Sequence, residues 1–537
     1  SRPVSSFRVL AAGSRLKRTS VGALPALVAA CAIGLGACGG SSPPAASSRE
    51  QAAPGLGSAN TIAVSPLPGT PDSSAVTQVS FLGGRGTRVG RVKVRGSATG
   101  LHAGRLLAYS TRNGESFVPN RPFATGEQVT VSAQVIAGPD RGRRVSTWFD
   151  VAAQVPVAQK RWPLDAGDPN AIQHYASAPS LTPSTVRITT PAQPGAAPGD
   201  IMLTPYQGPG TPGPMIVDQR GGLVWFDPLP AQEAASNLTV QRWEGRPALA
   251  WWQGRVLELG FGQGVDVIAD DHYRTIATIR AGNGYSADLH ILRLTSEGTA
   301  WVDAFDIVRA DLRSAGGEAQ GVLSDSVIQE IDVRTGLVMW EWHADGHIPF
   351  AESQNPLPSG GYPWDFAHVN SLDPGSHGDL LLSVRNTWSV DDIDVRTGRV
   401  AWRLGGRNSS FRLQGAERFY WQHDAAFQPG GRISLFDNGS DPPEEPESRG
   451  LEFALDDGPR TARLVGEYKN PRETLLASSQ GSAQRLPGGG WLLGYGGLPN
   501  FTEYDSSGRM VLDGTLGRGV QSFRAVLASW HGAPSSP

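Results

Sequence analysis

The sequence predicts an all-β chain, a six-bladed β-propeller preceded by a small β-sandwich of immunoglobulin type. Three observations carry this. The 537 residues hold 67 Gly and 41 Pro, set between short apolar runs, and such punctuation marks strands joined by turns. An Asp-turn-Gly element recurs along the C-terminal two thirds. A second hairpin recurs in step with it. With 18% charged and 39% hydrophobic residues, the chain has ample material for large cores.

The elements follow in order. Residues 1–38 contain a basic stretch (Arg15, Lys17, Arg18) and then the apolar run VGALPALVAACAIGLGAC. This resembles a bacterial lipoprotein signal ending at Cys38, the expected lipidation site, and predicts export to the extracytoplasmic face of the cell membrane. Residues 39–60 are a polar linker. Cys31 and Cys38 are the two cysteines, so the exported part has no thiol for catalysis or for a metal. Runs such as RVGRVKVRG and QVTVSAQVIAG alternate polar and apolar residues over 61–154 and predict the sandwich, read as a spacer or packing domain. A Pro- and Ala-rich linker, 155–185, leads to the propeller at 186–520. Residues 521–537 are a tail or a closing strand.

The propeller rests on repeats. EIDVRTGLVMWEW and DIDVRTGRVAWRL are nearly identical, and weaker copies place the same Asp at 218, 270, 332, 394, 456 and 505. The steps are 52, 62, 62, 62 and 49 residues. A period of that length built from short strands means one four-stranded blade per repeat. The second series begins at Thr239, His290, His368, His423 and Ser482, each with an apolar residue four positions on and then a turn. Three consecutive heads are His in a chain with 10. If blade-equivalent positions face one channel, His290, His368 and His423 converge there. Arg385 follows on the next strand of its hairpin, and Asn438 stands at the matching place one blade later. Three imidazoles and a guanidinium suit an anionic ligand and acid, base or nucleophilic chemistry. Trp421, two residues before His423, would face the same way on a strand and offer a ring for stacking. His343 and His347, in WHADGHIP, read as a surface loop. The net charge of −3 gives no sign of a nucleic-acid partner.

WDFAHVNSL, LLLSVRN, YWQHDAAF and FDNG resemble the bacterial arylsulfotransferase family, in the branch common in high-GC bacteria and fungi. The resemblance covers 186–520 and implies a channel site that moves a sulfuryl group from a phenolic sulfate ester to a phenol, without a nucleotide donor. It implies a sulfohistidine on His423, with His290 and His368 as companions and Arg385 binding sulfate. Asn370 is implied as a neighbour, and Ser482 as a hydroxyl from the next blade. The expected partners are a small aryl sulfate and a phenol, with membrane contact through the lipid anchor and no cofactor or metal. Two other readings stand beside it: a surface-anchored binding or scaffold propeller, and a three-histidine metal-dependent hydrolase.

Overall fold

The computed structural model describes residues 62–156, 162, 165–414 and 417–533. The signal segment with Cys38 and the 39–60 linker lie outside them, as does part of the second linker. The described chain is all-β, with three single-turn 3-10 helices. None of its helices is long and apolar enough to cross a membrane.

The N-terminal part has two sheets. One orders Ala63–Ser65, Val79–Leu82, Gly114–Pro119 and Gly104–Ala108; the other orders Thr70–Ser73, Arg144–Val151, Gln128–Ala137, Arg88–Gly96 and Gly100–His102. Strict alternation drives their closure: Val129, Val131, Ala133 and Val135 point inward from one strand and join Phe81, Phe117 and Phe149 in one core. Polar residues between them face outward.

Six larger sheets follow, with a two-stranded pair, Pro205–Tyr206 and Gln521–Ser522, beside them; in each of the six, consecutive strands are hydrogen-bonded neighbours in a meander. The second sheet comprises Ala234–Trp243, Arg246–Val256, Gly262–Ala269 and Thr275–Ile279; the third, Leu292–Leu294, Thr299–Ala310, Gly321–Asp332 and Leu337–His343. The fourth comprises Val369–Pro374, Asp379–Val384, Ser389–Asp394 and Arg399–Gly405; the fifth, His423–Gln428, Arg432–Asp437, Arg449–Asp456 and Thr461–Tyr468. The sixth runs from Ser482–Arg485 to Met510–Leu516 and takes Val186–Thr190 onto its outer edge. The first sheet is built from both directions: Asp200–Leu203 pairs forward with Met215–Val217 and backward with Val526–Ala528. Residues 526–528 thus form a strand that joins the C-terminal end of the described chain to the first of these sheets. The recurrent Asp residues mark the turn between the last two strands of each meander; Asp332 and Asp394, for example, accept the amide of Gly336 and Gly398 through their carbonyls, both at 2.8 Å.

The N-terminal part covers an edge that would otherwise be open. Strand Leu337–His343 ends the third sheet. Ser80 and Ser116 donate to the Val338 carbonyl at 2.5 and 2.9 Å, and Ser65 accepts from Glu341 N at 2.8 Å. His343 corrects the surface-loop reading of WHADGHIP. It is the last strand residue and 0% exposed, with Nδ1 2.9 Å from Asp72 and 3.2 Å from Asp325, and Nε2 3.3 Å from Glu341. Burial opposes its charge, but these carboxylates outweigh it and hold the imidazole well above the usual range. His343→Ala leaves three buried carboxylates without their cation and should cost about 3–5 kcal/mol of stability, read as the urea midpoint against the parent chain.

Candidate active site

The three histidines stand where a meander begins. His423 opens its strand, His368 immediately precedes Val369–Pro374, and His290 lies two residues before Leu292–Leu294. The backbone there is irregular for a reason. His368 (φ 55) and Asp424 (φ 55) occupy the left-handed region, which L-residues rarely adopt, and pairing shifts register between Val369 and Ser371 and between His423 and Ala426. These bulges turn the imidazoles out of the strand alternation. Arg385 N–H donates to the His368 carbonyl at 3.0 Å and holds that turn.

All three imidazoles and Arg385 line one cavity of about 230 Å3. The His290 and His368 ring centroids are 4.9 Å apart. Phe523 lies between His290 and His423, at 5.3 and 6.4 Å from their centroids. Trp162, Tyr206 and Trp252 supply further aromatic wall. A larger groove of about 740 Å3 lies elsewhere, around Trp402 and Phe427; its one histidine is His377, on an exposed turn. The convergent polar groups select the smaller cavity.

Each imidazole is held at Nδ1, and the partners differ. His290 Nδ1 bonds Asp288 Oδ2, and His368 Nδ1 donates to Asp365 Oδ2 at 2.5 Å. His423 Nδ1 bonds Asn438 Oδ1 at 2.7 Å. Asn438 Nδ2 donates to the carbonyls of Ala477 and Gln480 at 3.1 and 2.9 Å, so its oxygen must face His423 and the ring proton sits on Nδ1. The opposite nitrogen agrees: Nε2 accepts from Gln480 N–H at 3.1 Å. His423 is thus a neutral imidazole with its lone pair on Nε2. Burial and the nearby Arg385 charge hold its pKa well below the histidine range. Burial also lowers His290, against the pull of Asp288.

Arg385 is fixed from three sides. It donates to Asn386 Oδ1 at 2.9 Å and to the Ser478 carbonyl at 3.1 Å, and its guanidinium stacks on Trp421 at 4.8 Å. Burial brings its pKa down to about 10, which still leaves it charged at neutral pH.

The four expected ligand residues, Trp421, Asn370, Ser482 and Asn438, do not line the cavity. Trp421 is not on a strand: with φ 57 its ring turns under Arg385, and Nε1 donates to the Pro442 carbonyl at 3.2 Å. Asn370 is fully buried and donates to the Gln422 carbonyl at 2.8 Å, which anchors the residue before His423. Ser482 donates to the Ala525 carbonyl at 3.0 Å and ties the sixth sheet to the start of strand Val526–Ala528. Gln480 takes its expected place, displaced by Gly481 at φ 111. Likewise Ser236, not Thr239, reaches the cavity in the second sheet, the register shifting between the two. Asn438 is in place as the partner of His423 rather than as a cavity wall. The sequence reading missed Asp288 and Asp365; an Asp two or three residues before each His (DLH, DFAH) was the available signal.

A metal would need converging ligand atoms. Among the described residues, the clusters whose ligand atoms all lie within 4.8 Å are Asp72–Asp325–His343 and Asp288–His290–Asp303. The three cavity histidines do not form one, which departs from a three-histidine metal centre.

Residues 239–517, more than half of the chain, match the family model described as Arylsulfotransferase (ASST). The chain belongs to the arylsulfotransferase family. The match spans all three cavity histidines and Arg385. Among solved structures, the chain is similar to a protein of unknown function from Bacteroides caccae, at 13% identity over 61% of this chain and 98% of that one, TM-score 0.36. It is also similar to a glutaminyl cyclase from Myxococcus xanthus, at 14% identity over 42% and 76%, TM-score 0.21. At those scores neither likeness carries an argument about this cavity. No curated protein matches the chain.

Proposed function

We propose that the protein transfers a sulfuryl group from a phenolic sulfate ester to a phenol through a sulfohistidine on His423. The observation that carries this is the contrast in Nδ1 partners. An amide behind His423 leaves it a neutral nucleophile, whereas the carboxylates of Asp288 and Asp365 behind His290 and His368 orient those rings for proton transfer. The family match supports the reaction class, and the aromatic walls suit aryl groups on both sides of the exchange.

The donor enters with sulfur facing His423 Nε2. The Gln480 amide that caps this nitrogen must release it, and is then free to donate to a sulfuryl oxygen. The N–S bond forms as the S–O bond breaks, and the electron pair leaves on the phenolate. Sulfuryl transfer resembles phosphoryl transfer in a loose, in-line transition state, so positioning and charge stabilisation dominate. Arg385 offers its guanidinium fork to the sulfuryl oxygens. His368, backed by Asp365, gives a proton to the departing phenolate. The sulfated ring keeps its Nδ1 proton and is cationic, hence a good leaving group. In the second half the same carboxylate-backed imidazole, now neutral, takes the proton of the acceptor phenol.

We read the six meanders as blades of a six-bladed propeller closed by Val526–Ala528, with the cavity on its axis and the two N-terminal sheets as an immunoglobulin-type sandwich. Anchoring at Cys38 on the extracytoplasmic side is proposed from the sequence alone.

Initial rates with varied 4-nitrophenyl sulfate and varied phenol test the reading. Parallel double-reciprocal lines are expected. Intersecting lines refute the covalent route, and no nitrophenolate from any aryl sulfate refutes the activity. The pH profile has a sign. Protonation silences His423, and its pKa lies well below 6.5, so kcat/KM for the donor should not fall with a His423 titration at or above pH 6.5. A fall there that vanishes only on changing Arg385 or Asn438 contradicts the assignment.

A further inference from the structure

We propose that the outward face of the N-terminal five-stranded sheet is a docking surface for an anionic lipid bilayer. It is independent of the sulfuryl-transfer reading. The four-stranded sheet of this part meets strand Leu337–His343 through Ser65, Ser80 and Ser116. The five-stranded sheet turns its other face away from that contact.

That face is both basic and apolar. Pairing runs Leu101 to Arg95, Arg95 to Thr130 and Thr130 to Trp148, one continuous row across four strands. Leu101 is 64% exposed, Trp148 43% and Ile136, on the same side of its strand, 52%. Lys93 and Arg144 stand exposed among them, whereas Arg88 turns to Glu115 of the other sheet at 2.5 Å. Asp150 is the acidic side chain of the described strands on this face, and it accepts from Gln128 Nε2 at 3.2 Å. Residues 62–156 hold eleven Lys and Arg against five Asp and Glu, in a chain of net charge −3. Three of the five acids, Asp72, Glu115 and Glu127, are buried, so the surface is more positive than the composition.

The interleaving chooses the partner. A polyanion in solution needs the cations and gains nothing from an exposed Leu, Ile and Trp. A bilayer interface uses both: Trp seats at headgroup depth, aliphatic tips enter the acyl boundary, and Arg and Lys stems lie along apolar surface with their charges on lipid phosphates.

The test is sedimentation of the full chain with vesicles of phosphatidylcholine, with and without phosphatidylglycerol, at low and high salt. The parent is compared with Lys93→Glu/Arg95→Glu and with Leu101→Ser/Trp148→Ser, and unchanged thermal midpoints certify the fold. The parent should prefer the anionic vesicles, and charge reversal should weaken partition by at least about tenfold at low salt. Leu101→Ser/Trp148→Ser should lose binding that high salt does not remove. Equal partition of parent and variants overturns the proposal, because another segment then binds. Retention of the parent on heparin without vesicle binding also overturns it, in favour of a soluble polyanion.

Discussion

His423→Ala should abolish transfer of sulfuryl from 4-nitrophenyl sulfate to phenol, lowering kcat by at least about 10^4-fold, or ~5 kcal/mol of transition-state stabilisation. The size follows from the geometry. His423 is the cavity imidazole without a carboxylate behind it, and its Nε2 lone pair is fixed by two independent hydrogen-bond patterns. His290 and His368 differ from it in having a carboxylate, Asp288 or Asp365, at Nδ1, and they stand in other sheets. Fold should survive: the Asn438 amide still holds the carbonyls of Ala477 and Gln480. A thermal midpoint close to the parent's is therefore part of the expected result.

Arg385→Ala should lower kcat/KM for the donor by roughly 10^2–10^3-fold, the scale set by removing one preorganised charge donor from a shielded site. Arg385→Lys should not restore it. A lysine cannot keep the donations to Asn386 Oδ1 and the Ser478 carbonyl, stack on Trp421 and present a fork to sulfuryl oxygens together. If Lys rescues fully, Arg385 contributes only charge. If both variants match the parent, the sulfuryl group sits elsewhere in the cavity.

The Asp-turn-Gly period was legible because each meander ends in the same tight turn, and the six Asp positions all fall there. His290, His368 and His423 were legible because each stands at or within two residues of the start of its sheet's first strand, and Arg385 because it directly follows the second strand of its own. Ser482 and Thr239 were misplaced because Gly481 and Asn237 adopt positive φ just ahead of them, and a backbone turn of that kind leaves no trace in hydrophobic spacing. Trp421 was misread for the same reason. His343 looked exposed beside Asp-Gly and Pro, yet Asp72 reaches it from the other part of the molecule, a contact no local pattern encodes. Asn438 was visible as a polar residue at a matching place, but its role depends on where its amide hydrogens go.

The most direct test of the central claim is intact-protein mass spectrometry after brief exposure to 4-nitrophenyl sulfate, beside His423→Ala, with nitrophenolate release followed in the same samples. The account predicts an adduct of about 80 Da, the mass of one SO3 unit, in the parent only, formed with a nitrophenolate burst and discharged by added phenol. Nitrophenolate release with no adduct, or an adduct that persists in His423→Ala, would contradict it.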